Sequence, residues 1–121
     1  MKKIVILLII SVVIIAMTVI AYQHTFSTEK WIRFPDMREK MLSSMEKQVK
    51  IIGASREEIE ESLGLPEALE SDTISFKIDR KEYPADQVMI YYIGSDYMDV
   101  LWLVIVMDEN GIAEKFFTDV S

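Results

Sequence analysis

A single histidine, no cysteine and one dense run of carboxylates are the chemistry that this 121-residue chain offers. The missing cysteine rules out disulfides, thiolate metal ligands, a cysteine nucleophile and lipid attachment through a processed N-terminal Cys. His24 stands at the end of an apolar segment. A Ser–His–Asp relay or an imidazole metal centre needs partners that converge on the ring. No such set is spaced around His24, which reads as an incidental interfacial side chain. Glu57, Glu58, Glu60 and Glu61 could attract a cation. A Ca²⁺ loop, however, alternates its ligands with backbone carbonyls around a sharp glycine turn. These carboxylates instead open a helix, where they complement its dipole. Met37, Met41 and Met45 carry thioethers of the kind that bind Cu(I). The same spacing places them on the inner face of a helix as flexible core filling. There is no glycine-rich phosphate loop, and no pair of carboxylates stands out for glycoside chemistry. These residues imply no catalytic set, no cofactor and no metal.

The first element is Ile4 to Ala21, a stretch without charge that follows Lys2 and Lys3. Extended through Tyr22 as a helix it spans about 28 Å, the thickness of a bilayer's hydrocarbon. Tyr22 suits the interface. The segment is either an uncleaved signal anchor or a signal peptide cut before Tyr22. The apolar run exceeds a signal h-region, which favours the anchor. Lys2 and Lys3 resemble the basic start of an export signal, which places the following domain outside the cytoplasm. Lys30, Arg33, Arg38 and Lys40 beyond the span pull the other way. The expected division is a transmembrane anchor over 1–23, a linker over 24–34 and a small domain over 35–121. The lipid bilayer is thus the first partner, through residues 4–22. Without Lys2 and Lys3 the chain has 11 basic and 20 acidic side chains. That balance repels nucleic acid and anionic lipid alike.

Within the domain, Pro35 fits the first turn of a helix. Met37, Met41, Met45, Val49 and Ile52 recur at spacings of 4, 4, 4 and 3, an amphipathic stripe that predicts a helix over 35–50. Gly53-Ala54 turns the chain. Ser55 and Glu58 form a capping box, Ile59 and Leu63 make a short apolar stripe, and Gly64 with Pro66 ends the helix. So short a helix is unstable alone and must dock on a neighbour. Ile74, Phe76 and Ile78 then alternate with polar residues as a half-exposed strand or extended loop. Charged 80–86 contains Pro84, where pairing should stop. Val88 to Ile93 reads as a strand closed by Gly94, Val100 to Met107 as the central strand, and Asp108-Glu109-Asn110-Gly111 as the hairpin into Ile112 to Thr118.

The order of parts resembles the SmpA/OmlA (BamE-like) domain. The resemblance is carried by Gly53 to Glu58, Leu63-Gly64-Leu65-Pro66, Tyr91-Tyr92-Ile93-Gly94 and Leu103 to Gly111, and covers roughly 35 to 118. It implies an α+β fold of ααβββ type, two helices on a three-stranded antiparallel sheet, in a cell-envelope protein that works by contact. The chain departs from the outer-membrane members, which are lipoproteins, because it has an apolar anchor and no Cys. Its segment 71–86 is also longer than the connection that the family implies.

One strand departs from simple amphipathic logic. A sheet covered on one face should alternate, yet Val100 to Met107 is apolar throughout. With Leu101, Leu103, Ile105 and Met107 towards the helices, Val100, Trp102, Val104 and Val106 face the other way. Phe116 and Phe117 likewise point to opposite faces. Either residues 73–79 cover this second face, or it is a contact surface for a protein partner. In the second case Trp102, Tyr92, Tyr97, Val104 and Phe116 are the contact residues. Two functions follow. The first is a non-catalytic, membrane-anchored interaction or envelope-assembly module. The second is an inhibitor or immunity-type protein that binds an enzyme through its sheet face.

Overall fold

A computed structural model describes residues 1–121, apart from the side chain of Asp96. Helix α1 (Lys2–His24) is followed by α2 (Thr28–Arg33), a 3₁₀ turn at Pro35–Met37, α3 (Arg38–Gln48) and α4 (Arg56–Leu63). A short hairpin comes next, β1 (Thr73–Ser75) and β2 (Glu82–Pro84). Strands β3 (Val88–Asp96), β4 (Asp99–Met107) and β5 (Ala113–Val120) then form an antiparallel sheet with β4 in the middle. The class is α+β, an apolar N-terminal helix followed by helices on a small antiparallel sheet.

α1 buries none of its residues in the protein and is long and apolar enough to cross a membrane. Its end is fastened to the domain. Lys30 Nζ donates to the carbonyls of Tyr22 (2.6 Å) and Thr25, and lies over the Tyr22 ring. Here a cation meets the helix C-terminus, where the carbonyls lack partners of their own and the dipole is negative. The Phe26 amide donates to Ser44 Oγ at 2.9 Å, joining the chain beyond α1 to α3.

Residues 24–34, expected as a linker, belong to the domain. Ser27 caps α2 by accepting from the Lys30 amide, and Trp31 is 0% exposed. Phe26 and Tyr91 meet the Trp31 ring edge-on at 5.9 and 6.5 Å, and the Arg38 guanidinium stacks on it at 5.2 Å. Six residues are too few to show a helical period, so the pattern of apolar spacing is silent here.

The expected 35–50 helix is a 3₁₀ turn plus α3, and it stops at Gln48. Met41 and Met45 are buried as the stripe requires. Beyond Gln48 the chain leaves helical geometry, so Ile51 goes inward and Ile52 stays exposed. α4 has both halves of its capping box, Ser55 Oγ accepting from the Glu58 amide and the Ser55 amide donating to Glu58. Gly64 ends it at φ 76°. Ile59 and Leu63 dock on the sheet, and the Tyr91 hydroxyl donates to the Gly64 carbonyl at 2.9 Å. These side chains join Met89, Ile93, Leu103, Ile105 and Met107 in the main core between helices and sheet.

The Asp108–Gly111 turn forms as expected, with Gly111 at φ 76° and its amide donating to the Asp108 carbonyl. The strand expected to close at Gly94 runs on to Asp96 through a bulge between Tyr92 and Gly94. Segment 80–86, expected to be unpaired, contributes a short strand that ends at Pro84. β2 pairs with β1, Pro84 opposite Thr73 at the strand's end, where its missing amide breaks no inner ladder bond.

Removal of residues 1–21 leaves Trp31 and its neighbours in place, so a chain starting at Tyr22 is expected to unfold cooperatively in urea. A chain starting at Pro35 loses Phe26 and Trp31 and is expected not to. Trp31→Ala in the full chain should cost about 3–5 kcal/mol, the usual cost of deleting a large buried aromatic. Equal melts for both truncations would return α2 to the status of a linker.

Candidate functional site

The second face of the sheet, which the sequence leaves as either covered by residues 73–79 or open for contact, is mostly covered. Phe76 and Tyr83 from the β1–β2 hairpin close over Val88, Ile90, Val104 and Val106, with Leu69, Ile74, Trp102 and Phe117 packed at the margin. Phe76 meets Phe117 edge-on at 6.4 Å. The result is a second, smaller core, which explains why β4 is apolar on both faces.

Polar groups lock this cover down. Asp119 is 1% exposed and lies on the covered face, opposite Trp102 in the register. Its carboxylate accepts from the amides of Ile78 and Asp79, both at 2.9 Å, and of Val120 at 2.7 Å. A buried carboxylate needs such donors, and here they come from the chain that it holds down. The Lys77 amide donates to the Val120 carbonyl, and the Lys77 side chain pairs with Asp99. The Tyr83 hydroxyl donates to Asp79 at 2.7 Å and accepts from Lys115. Burial, then the bond to Asp79, pushes the Tyr83 phenol up to about 12. The same bond holds the Asp79 carboxyl below its ordinary value. Ile78, expected on the inner face with Ile74 and Phe76, is exposed instead, because the chain turns there: the Arg80 amide donates back to the Phe76 carbonyl, and Arg80 has φ 61°.

The five contact candidates separate. Val104 is 0% exposed under the cover and is no contact residue. Phe116 lies on the opposite, helix-facing side, half-buried against the main core. Its alternation with Phe117 dictates this. Tyr97 sits alone at the tip of the β3–β4 hairpin. Only Tyr92 and Trp102 come together, opposite each other in the register and edge-on at 6.3 Å. Both are half-exposed. The Tyr92 hydroxyl donates to Asp36, and Trp102 Nε1 donates to Ser121. Trp102 packs at the margin of the second core, and Tyr92 stands beside it.

Compared with protein-family models, curated proteins and solved structures, the chain matches none of them.

Charge is segregated. Residues 1–50 hold eight basic and four acidic side chains, whereas residues 51–121 hold five basic and 16 acidic. The half of the chain that contains α1 is thus positive, and the half that contains α4 and the sheet is strongly negative. The hollow beside the 108–111 turn is lined by Asp108, Glu109 and Glu114. Asp108 Oδ1 accepts there from the amides of Asn110 and Ile112 and so builds the turn. Among the described residues, no group of three or more His, Asp or Glu is placed to hold a metal.

Residues missed at the sequence level are those that fasten elements together. Asp119 left one trace: it follows Phe117 by two positions, so a carboxylate shares the register of a buried ring. Arg38 is buried, with Nε donating to the Trp31 carbonyl (2.7 Å) and Nη1 to the Tyr92 carbonyl (2.9 Å). Desolvation lowers its pKa, opposed by the nearby Glu67 and Tyr91. Its position on the polar side of the methionine stripe carries no signal of this.

Phe76→Ala removes the centre of the cover and should cost about 3–5 kcal/mol in a urea melt. Trp102→Ala, at the uncovered margin, should cost clearly less. The reverse order would place Trp102 inside the second core.

The Tyr83 phenol also makes stability depend on alkaline pH. The unfolded chain releases this proton near pH 10 and the folded chain near 12, so the folded state holds the proton longer. The stabilisation from this group is complete below pH 10 and is lost as pH rises to 12. Tyr91, raised chiefly by burial, acts in the same sense. Melts across this range should show falling stability, with a smaller fall in Tyr83→Phe. An unchanged slope in that variant would mean that Tyr83 titrates normally.

Proposed function

We propose that this chain is a membrane-anchored domain that works by binding a protein partner at the bilayer surface, without catalysis, on the side outside the cytoplasm. The observation that carries the reading is the fastening of α1 to the domain. Lys30 caps the end of the apolar helix, and Ser44 holds the chain just beyond it. A domain tethered only by a flexible linker would sample all attitudes. This one is held at a set attitude to the axis of its membrane helix, which suits a protein that must present one surface to another membrane-bound component.

The charge pattern supports a partner class. Five basic and 16 acidic side chains over residues 51–121 attract a basic protein surface and speed its encounter. The half-exposed Tyr92–Trp102 pair supplies residues of the types that dominate binding hot spots. The BamE-like order of parts supports an envelope-assembly role of the same kind. The inhibitor reading needs a free sheet face, and the β1–β2 cover leaves it little beyond this pair.

A photoreactive amino acid at Trp102 or Glu60, in the full chain in intact membranes, tests the reading. Each position is expected to yield a discrete protein adduct. Its formation should slow as salt rises, and protease added outside the cell should remove the domain. No protein adduct at either position, or an adduct indifferent to salt, would remove the acidic-surface reading. Protection from external protease would reverse the orientation.

A further inference from the structure

We propose that the base of the domain is a second membrane contact, formed by Ile32, Phe34 and the Tyr97–Met98 hairpin tip resting in the interfacial zone of the bilayer that α1 spans. This rests on the reading of α1 as a membrane anchor and adds what the domain does at that surface.

The direction of each element follows from its bonds. α1 leaves the apolar zone at Tyr22. Lys30 reaches back from α2 to the Tyr22 carbonyl. Phe26, before α2, bonds to Ser44 of α3, and the Trp31 carbonyl, near the end of α2, bonds to Arg38 at the start of α3. So α2 runs against α3, and Ile32 and Phe34 lie at the end where α3 begins. α3 then rises. Lys40 donates to Gln23, and Ser44 accepts from Phe26, so advancing along α3 also advances along the first part of the chain. Pro35–Met37 and Arg38 are therefore at the membrane side.

Strand β3 runs antiparallel to α3. At the far end, Gly53 and Ala54 bond to Ala113, close to Met107. At the membrane side, Arg38 donates to the Tyr92 carbonyl, Tyr92 donates to Asp36, and a Cβ on Gly94 would lie 2.9 Å from Glu39 Oε2. β3 thus descends. Three residues separate Gly94 from Tyr97, about 10 Å of strand. The tip is the lowest part of the sheet, beyond the start of α3 and on the side from which α1 emerges.

The side chains there are the wrong ones for water. A two-residue hairpin turn ordinarily takes Asn-Gly or Asp-Gly. This one has Tyr97 at 102% and Met98 at 87% exposure, and Tyr97 has φ 25°. Ile32 is 52% and Phe34 39% exposed. Tyrosine at the headgroup level, beside apolar neighbours, is the pattern of an interfacial anchor. Asp36 and Asp99 limit the depth to the headgroup zone, since a carboxylate in hydrocarbon is costly. A domain held by one helix can still swivel and tilt as a unit; a second contact point fixes which side faces the bilayer.

The absence of cysteine makes the test direct. Four single variants of the full chain, Ile10→Cys, Ile32→Cys, Met98→Cys and Asn110→Cys, are spin-labelled in vesicles of phosphatidylcholine and phosphatidylglycerol. Collisions with oxygen, which partitions into lipid, are compared with those of a water-soluble nickel chelate. Position 10 should be strongly oxygen-weighted, 32 and 98 intermediate, and 110 dominated by nickel. If 98 is as open to nickel as 110 while 10 remains in lipid, the base hangs in water and the inference fails although the anchor reading stands. If 98 is shielded from both reagents, a protein covers the tip and the inference also fails. If 10 is open to nickel, the anchor reading itself fails and this inference falls with it.

Discussion

The burial of Trp31 is the contact on which the rest of the structure depends. Its ring is where α2, α3 and β3 meet: Phe26 and Tyr91 pack on it edge-on, and Arg38 stacks over it. Arg38 then donates to the carbonyl of Trp31 itself and to Tyr92 at the β3 bulge. Buried aromatic packing positions a buried cation, and the cation satisfies carbonyls that a helix end and a bulge leave open. One side chain in a six-residue helix thus ties the chain just beyond α1 to the sheet.

That join fastens the end of α1 to the domain. Lys30 is the polar half of it, satisfying the last carbonyls of α1 from the turn that carries Trp31. Because α2 and the end of α1 are held by the same residues, the strand directions, the acidic surface and the hairpin tip all have a defined relation to the helix axis.

The second core shows how a short insertion changes what a sheet can do. β1 and β2 have three residues each and could not fold alone. They are held because Phe76 and Tyr83 bury apolar area on the sheet and Asp119 accepts the amides of Ile78 and Asp79. The cover converts an apolar face into a third layer and leaves its margin, including Tyr92, Val100, Trp102 and Phe117, partly in contact with water. An apolar strand on both faces is therefore no evidence of an open binding surface until the connections around it have been placed.

The local features were legible in the residues alone: the uncharged membrane-length helix, the Ser55–Glu58 box, the Gly64 stop, the Asp108–Gly111 turn and the central place of β4. Each depends on residues within one turn or one strand, so neighbours in sequence carry the whole physical cause. The two apolar faces of β4 were legible too, through simple alternation. Only the tertiary structure decided what covered the second face, because that cover depends on Asp119 meeting amides some 40 residues away. Only the tertiary structure moved Val104 into a core, set Phe116 on the helix side and brought Tyr92 beside Trp102. Likewise α2 has no period to read. It exists because Trp31 finds Tyr91 and Arg38, and a helix so short is stable only through such packing.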